Sequence, residues 1–524
     1  MVMLVGAVVA TVVGPGARPV SAANSEDSIN QSLKSFTKVY ELVEQNFADQ
    51  VKPDKAVYQG AIPGMLRTLD PHSNFFDPRQ FQILREDQRG HYYGVGMTVG
   101  SRDGRTIIIE PFTGSPAFKA GLRRGDAILR INDKNAEKLN TTEVADLLKG
   151  PRGTTVSVTV QRLGVEKPLT FQIVRDEIPR ASVADGFWLK PGIAYLSIKS
   201  FNENTSREME EQLKKLGEAN IKGLILDLRD NPGGLLNEGV EVAGHFLRRG
   251  EVVVSHRGRS TPEKPYYARR ATGGKDYPVV VVVNRYSASA AEIVAGALQD
   301  HDRGWIFGEN TFGKGLVQTV YPLSENTGLA LTTAHYYTPS GRLIQRDYNN
   351  ISFLDYYYHR NLEQKNMQDV KMTDSGRTVY GGGGISPDEK YEIPKLNGFQ
   401  TNVLRKFAFF NFSAKYFGQN GVKLPKGWSP DQAVLDEFRK HLQAEKVEFT
   451  EAEFQENLDW IKQQLKREMY ITAFGPEESQ RVGIEGDAMI AKAVESLPKA
   501  KALLETAKKM MVKRLSPEAG RSAR

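Results

Sequence analysis

Apolar residues at Leu33, Phe36, Val39, Tyr40, Val43 and Phe47 recur three or four positions apart, a spacing that predicts a helix over 28–47 with one apolar face. A second short helix is expected over 55–69, stopped by the turn Leu69-Asp70-Pro71-His72-Ser73, where the proline ring fixes the backbone. Between 92 and 176 the period changes. Short runs rich in β-formers, such as 106–110 and 155–162, are punctuated by Gly-Asp and Pro-Arg-Gly and predict a small β module. From Pro179 onward strands (192–200, 223–228, 279–284) alternate with helices (206–216, 235–249, 287–300). That order predicts an α/β layer of mostly parallel strands. Beyond Leu396 the pattern is helical, with Ser429-Pro430 expected as an N-cap followed by proline at the first helical position, and Thr450-Glu451-Ala452-Glu453 as a capping box. Phe454, Leu458, Ile461 and Leu465 then share one face, and no internal repeat is visible.

At roughly 100–200 residues per domain, 524 residues predict about three or four domains. The expected division is a leader-like segment 1–23, a helical region 24–83, the β module 84–178, the α/β core 179–395 and a helical extension 396–524. Hydrophobic residues at 40% and charged residues at 25% exclude a disordered, collagenous or polytopic membrane chain. The absence of Cys removes disulfide scaffolds, thiolate metal sites and cysteine nucleophiles. The formal charge is +7, but residues 499–524 carry eight basic and two acidic side chains, so 8 − 2 = +6 sits there and the rest is nearly neutral. Nucleic acid is therefore not an expected partner, while the basic end leaves peripheral membrane association open. An apolar run over 3–14, then Gly14-Pro15-Gly16 and the small residues Val20-Ser21-Ala22-Ala23, has the order of a secretory signal, although no Lys or Arg precedes the run. The expectation is an exported protein, in the periplasm or a comparable extracytoplasmic space.

Within the β module, Tyr93-Gly94-Val95-Gly96-Met97 precedes a strand, and Gly114-Ser115-Pro116-Ala117 and Gly125-Asp126-Ala127-Ile128-Leu129-Arg130-Ile131 follow. These resemble a PDZ domain, whose glycine-bearing loop presents backbone N–H groups to a peptide's terminal carboxylate while the peptide adds as a strand. The plainer reading is a PDZ-like spacer with no ligand.

The chemistry lies in the core. Asp227-Leu228-Arg229-Asp230-Asn231-Pro232-Gly233-Gly234 joins an apolar strand to a helix, and paired glycines in such a turn expose the N–H groups that an oxyanion needs. Asn284-Arg285-Tyr286-Ser287-Ala288-Ser289-Ala290-Ala291-Glu292 again joins strand to helix, placing Ser289 in a surface turn at the helix start, where Ser287 or Ser289 could equally be only an N-cap. Gly308-Glu309-Asn310-Thr311-Phe312-Gly313-Lys314-Gly315 imitates a phosphate-binding loop, but Gly315 stands where a magnesium-binding hydroxyl belongs and a strand follows instead of a helix.

These three motifs in this order behind a PDZ-like module resemble the C-terminal processing peptidases, also called tail-specific serine proteases, over 29–391, including the Asp70-Pro71-His72-Ser73 turn and the glycines 381–384. The resemblance implies a multidomain α/β fold: a crotonase-like protease core of the ClpP/crotonase type, an inserted PDZ domain and helical N- and C-terminal regions. It implies Ser289 as nucleophile, Lys314 as general base and Gln318 as the residue orienting Lys314. Oxyanion donors map to the N–H of Ala290 and of one glycine of the Gly233-Gly234 pair, Gly233 being preferred. Tyr93, Gly94, Val95, Gly96 and Met97 become the peptide-binding loop that recognises protein or peptide substrates with free C-termini and gates the site. No cofactor or metal is implied; a homo-oligomer and an activating adaptor stay open. The dyad is physically sound, since a Lys near pKa 10.4 must fall by about 3 units, a cost of roughly 4 kcal/mol, and burial supplies such a shift. On a strand Lys314, Leu316 and Gln318 would face one side.

Other readings are weaker. His301, between Asp300 and Asp302, could complete a Ser-His-Asp triad but is expected to be a solvated helix-end cap. Ser496-Leu497-Pro498-Lys499 matches S-x-x-K, yet Pro498 interrupts the helix that motif needs. There is no H-E-x-x-H. The alternative from another class is a catalytically silent PDZ scaffold that binds exported proteins.

Overall fold

Alternate residues of the central strands face opposite sides, and both sides are covered. The computed structural model describes residues 26–102, 104–269, 275–349, 351–358, 366–421 and 423–515, so the leader-like segment 1–23 lies outside the described residues. The main sheet runs Phe187–Lys190, Ile193–Ser197, Gly223–Asp227, Val279–Val283, Gly304–Gly308 and Glu389–Lys390. Its first pair is antiparallel and the rest are parallel. Leu224, Leu226, Val279, Val281 and Val283 pack with Met209, Leu213, Val240, Ala243, Ile293 and Ala297 of the crossover helices Thr205–Lys215, Leu236–Phe246 and Ala290–Asp300. Ile225, Val280 and Val282 face the other way and meet Met489, Ile490, Ala493, Leu497 and Ala500. Two-sided burial explains why these strands read as unbroken apolar runs.

That outer layer comes from the extension after Leu396. Its helices first build a core of their own around Phe409, Phe412, Phe438, Ile461 and Leu465, then the helices Ala488–Glu495 and Leu497–Leu515 return to the main sheet. Between these, Glu468 pairs with Arg124 of the β module at 2.5 Å and Phe410 stacks under the same guanidinium. Thr450 and Glu453 form the expected capping box. Ser429-Pro430 does not cap: the helix is Gln432–Ala444 and Asp431 accepts from Val434 N at 3.0 Å, a carboxylate being the better partner for a positive helix end.

A second sheet, antiparallel throughout and unforeseen apart from its strand at 316–321, contains Asn74–Phe76, Gly328–Tyr337, Val252–Gly258 and Thr261–Tyr267, with Leu316–Pro322 on the far edge of Gly328–Tyr337. The β module is a six-stranded sheet with Met97–Arg102 at its edge, its core filled by Ile108, Ile128, Val144, Leu148 and Val158. Where it enters and leaves the chain, His91–Gly94 pairs with Asp176–Pro179. The N-terminal helix Glu26–Asn46 forms, but its apolar face, including Leu33, Phe36, Val39 and Phe47, stays exposed. Among the described residues no helix is long and apolar enough to cross a membrane.

Candidate active site

Strands Gly223–Asp227 and Val279–Val283 lie side by side and parallel, so the loops leaving their C-terminal ends are neighbours. Polar side chains lace the two loops together. Asn284 Oδ1 accepts from Asp230 N, Ala288 N donates to Asn231 O, and Ser287 Oγ donates to Leu228 O at 2.7 Å. Ser287 is thereby used up as a structural hydroxyl. Ser289 is not.

Ser289 has φ 55° and ψ −116°, a strained conformation for a residue with a Cβ, at the sharp turn into the helix Ala290–Asp300. It stands at the N-cap position, yet its Oγ makes no hydrogen bond among the described residues and is not spent on the cap. The residue is 0% exposed, which corrects the expected surface turn: the loop carrying Gly233 lies against it, and Tyr336 of the second sheet reaches its carbonyl. Two groups hold its backbone. Glu292 Oε2 accepts from Ser289 N at 2.8 Å, and Tyr336 OH donates to Ser289 O at 3.1 Å.

The same two groups hold Lys314. Glu292 Oε2 accepts from Lys314 N at 2.9 Å, its Oε1 accepts from Gly313 N and from Thr311 Oγ1, and the single Tyr336 hydroxyl hydrogen is shared between Ser289 O and Lys314 O. Burial pushes the Glu292 carboxyl up against the pull of these donors. One carboxylate and one phenol thus fix the spacing of the serine and lysine backbones. The glycines flanking Lys314 are required by close approach: a Cβ on Gly315 would lie 2.8 Å from Gln345 N, and one on Gly313 3.0 Å from Gly384 N.

Lys314 is 2% exposed, and its Nζ donates to Gln318 Oε1 at 2.9 Å. Burial drives its pKa down to about 8, opposed by the carboxylates of Asp70 and Glu292. Gln318, 0% exposed, turns its Nε2 to the carbonyl of His72. Lys314 precedes the strand Leu316–Pro322, and the ladder shifts register between Val317 and Gln318, yet the two side chains meet. Ser289 Oγ and Lys314 Nζ are not hydrogen-bonded to each other in this arrangement.

Of the glycine pair, Gly233 lies against the serine turn: a Cβ there would sit 2.6 Å from Ser289 Cβ and 2.9 Å from Ala290 N, whereas Gly234 is pressed against Phe201. The Gly233 N–H, however, already donates to Asn231 Oδ1 at 2.8 Å, so it is not the free donor expected from the sequence. Ala290 opens the helix, where N–H groups have no partner within the helix. In the β module Tyr93 is exposed, while Gly94, Val95, Gly96 and Met97 are buried, the carbonyls of Val95 and Gly96 being taken by Ala117 N and Phe112 N. A side chain at Gly96, φ 77°, would strike Ser115 Cβ at 2.5 Å. The adjoining edge strand Met97–Arg102 pairs on one side only, with Arg105–Pro111.

His301 ends the helix that Ser289 begins, about 18 Å away at 1.5 Å per residue. It is no solvated cap: its Nδ1 meets Asp374 and its Nε2 Val252 O, because the chain folds a strap over that helix end. Sequence reasoning named no role for Glu292, Tyr336, Asn231 or His72. Ser289-x-x-Glu292 carries capping-box spacing and could have flagged Glu292. Tyr336, on a strand of another sheet, has no local signal.

Residues 192–350 match Peptidase family S41, residues 108–162 the PDZ domain, and residues 15–79 the activating protease CtpB N-terminal domain. The carboxy-terminal-processing protease of Bartonella bacilliformis is 38% identical over 326 residues, 62% of this chain and 74% of that one. The carboxy-terminal processing protease CtpB of Bacillus subtilis is 33% identical over 329 residues, 62% of this chain and 68% of that one. Among solved structures, the photosystem II D1 C-terminal processing protease is 28% identical, covering 68% of this chain and 87% of its own, with a TM-score of 0.36.

Proposed function

Because the chain belongs to peptidase family S41, the carboxy-terminal processing serine proteases with a PDZ domain, we propose that Ser289 is its nucleophile, Lys314 the general base and Gln318 the group that holds Lys314. The observation that carries this reading is a buried serine hydroxyl without a partner, on a strained turn whose backbone shares two anchors with a buried lysine. Neutral Lys314 takes the Ser289 proton as Oγ attacks a substrate carbonyl, and the ammonium then gives that proton to the leaving amine. Water then attacks the acyl carbon as the same lysine takes its proton, and the ammonium returns that proton to Ser289 Oγ as the C–Oγ bond breaks and the new C-terminal carboxyl leaves. The developing oxyanion lies at the start of the helix, on Ala290 N–H, with Gly233 N–H joining once the Asn231 amide yields it. Closing the gap between Ser289 Oγ and Lys314 Nζ is left to substrate binding, as apo catalytic sites commonly do.

The PDZ match and the one-sided edge strand Met97–Arg102 support recognition of a substrate's C-terminal carboxylate at Tyr93–Met97, with the peptide adding as a strand and gating the site. The apolar run over 3–14 supports export. The exposed apolar face of Glu26–Asn46 supports a homo-oligomer or an activating adaptor at that helix. The test is mass spectrometry of products from one unstructured peptide offered as free acid and as amide. Cleavage of the free acid by the intact protein and not by Ser289→Ala supports the assignment; equal cutting by both proteins removes it. Equal rates on acid and amide remove the gating role alone.

A further inference from the structure

An amide side chain has two nearly equal ends, one accepting and one donating. Gln318 can hold Lys314 Nζ only with its oxygen forward; turned over, its NH2 would meet an amine that has protons of its own to donate. The acceptor behind it, the carbonyl of His72, decides between the two orientations. That carbonyl sits in the turn Asp70–Ser73, which is stitched by one buried carboxylate. Asp70 Oδ1 accepts from His72 N at 2.7 Å and from Ser73 N at 2.8 Å, and Oδ2 accepts from Ser73 Oγ at 2.6 Å. The turn is docked at the rung it serves: Thr332, which pairs with Gln318 in the ladder, donates its N–H to Ser73 Oγ at 3.1 Å. The His72 ring is fixed by the hydroxyls of Tyr356 and Tyr357.

We propose that Asp70 is a positioning residue for proteolysis: it shapes the Asp70–Ser73 turn so that the His72 carbonyl pins the Gln318 amide with its oxygen toward Lys314. The proposal rests on the Ser289–Lys314 reading above. Asp70 touches neither the serine nor a substrate; apart from the field of its carboxylate on Lys314, which Asp70→Ala and Asp70→Asn remove alike, its effect passes through Gln318.

A double-mutant cycle on a short peptide substrate tests this, using Asp70→Ala, Gln318→Ala and the pair, each first checked for a folded melting transition. Asp70→Ala is expected to lower kcat about 10²-fold, the scale of a misplaced catalytic group, with KM nearly unchanged. In the Gln318→Ala background the same change is expected to cost less than about threefold, because the pathway is already cut. Asp70→Asn, which keeps an oxygen for the two backbone N–H groups, is expected to restore most of the rate. Should Asp70→Ala not fold, the cycle is run with Ser73→Ala, where non-additivity with Gln318→Ala is again expected, and Asp70→Asn is the near-normal control. Additive losses, or a change confined to KM, overturn the positioning role. Activity surviving in Ser289→Ala would instead strike the dyad, so the two failures are distinguishable.

Discussion

Two serine–lysine pairs stand in this molecule, and they differ in what their surroundings leave undone. At the junction of the helices Ala488–Glu495 and Leu497–Leu515, Ser496 Oγ donates to Glu389 at 2.8 Å and Lys499 Nζ donates to the same oxygen at 2.9 Å. Both groups are satisfied, and the lysine side chain is 54% exposed, its charge met by water and carboxylate alike. At the end of the core strands, Ser289 Oγ has no partner, and Lys314 is buried with a neutral amide on its nitrogen. A hydroxyl near an amine is common; one kept dry and unsatisfied is reactive, because desolvation raises the cost of the charged lysine and leaves the hydroxyl's proton available.

The sharpest break in the comparison would come from the hydroxyls. Ser289→Ala is expected to lower kcat by on the order of 10⁴–10⁶-fold, as loss of a nucleophile does, while Ser496→Ala stays within about twofold. Equal losses in the two variants would erase the distinction. Next come the amines. Lys314→Arg should be as inactive as the serine variant, since guanidinium does not deprotonate in proteins, while Lys499→Arg should be near normal.

Acid titration sharpens the contrast further. With Lys314 at about 8, kcat/KM should rise with pH through an apparent pKa near that value, and a profile flat from pH 6 to 10 would count against a lysine base. Folding stability changes in the same direction, over a higher pH window. Below about pH 8 the folded protein must bury an ammonium that the unfolded chain solvates, and the penalty fades as pH climbs towards 10.5, where both states are neutral. Lys314→Met should therefore be more stable than the parent at pH 7, by about 2 kcal/mol after the lost Gln318 bond is subtracted, with the gain gone by about pH 10; denaturant melts at both pH values read it. Ser496→Ala gives the smallest effect, a stability loss of about 1 kcal/mol for one hydrogen bond to a carboxylate, with turnover untouched.

How far the sequence carried depends on distance along the chain. The strand–helix alternation from Ile193 to Asp300 is local periodicity, and so is the glycine pattern around Lys314. Helix Pro78–Arg89 was equally readable, from Asp77-Pro78-Arg79-Gln80, whose capping box forms, although no helix was expected there. The antiparallel sheet was not, because Asn74–Phe76 pairs with residues some 250 positions later and nothing in three residues announces a partner so far off. The site divides in the same way. Ser289, Lys314 and Gln318 sit in recognisable strings, and the structure brings Lys314 and Gln318 into contact. Tyr336, His72 and the diversion of Gly233 N–H to Asn231 depend on which chain segments lie across the site, which periodicity does not encode.

The outer layer of the main sheet has a consequence in time. Phe307 and the strands before it are complete 182 residues before Met489, the first fully buried helix side chain of that layer, is made. At about 5–20 residues per second, the ribosome leaves that apolar face bare for about 10–40 s. Asp487, which holds Arg229 beside the loop leading to Gly233, arrives equally late. A nascent chain therefore carries the Ser289–Lys314 segment on a scaffold that stays unfinished until synthesis passes residue 500.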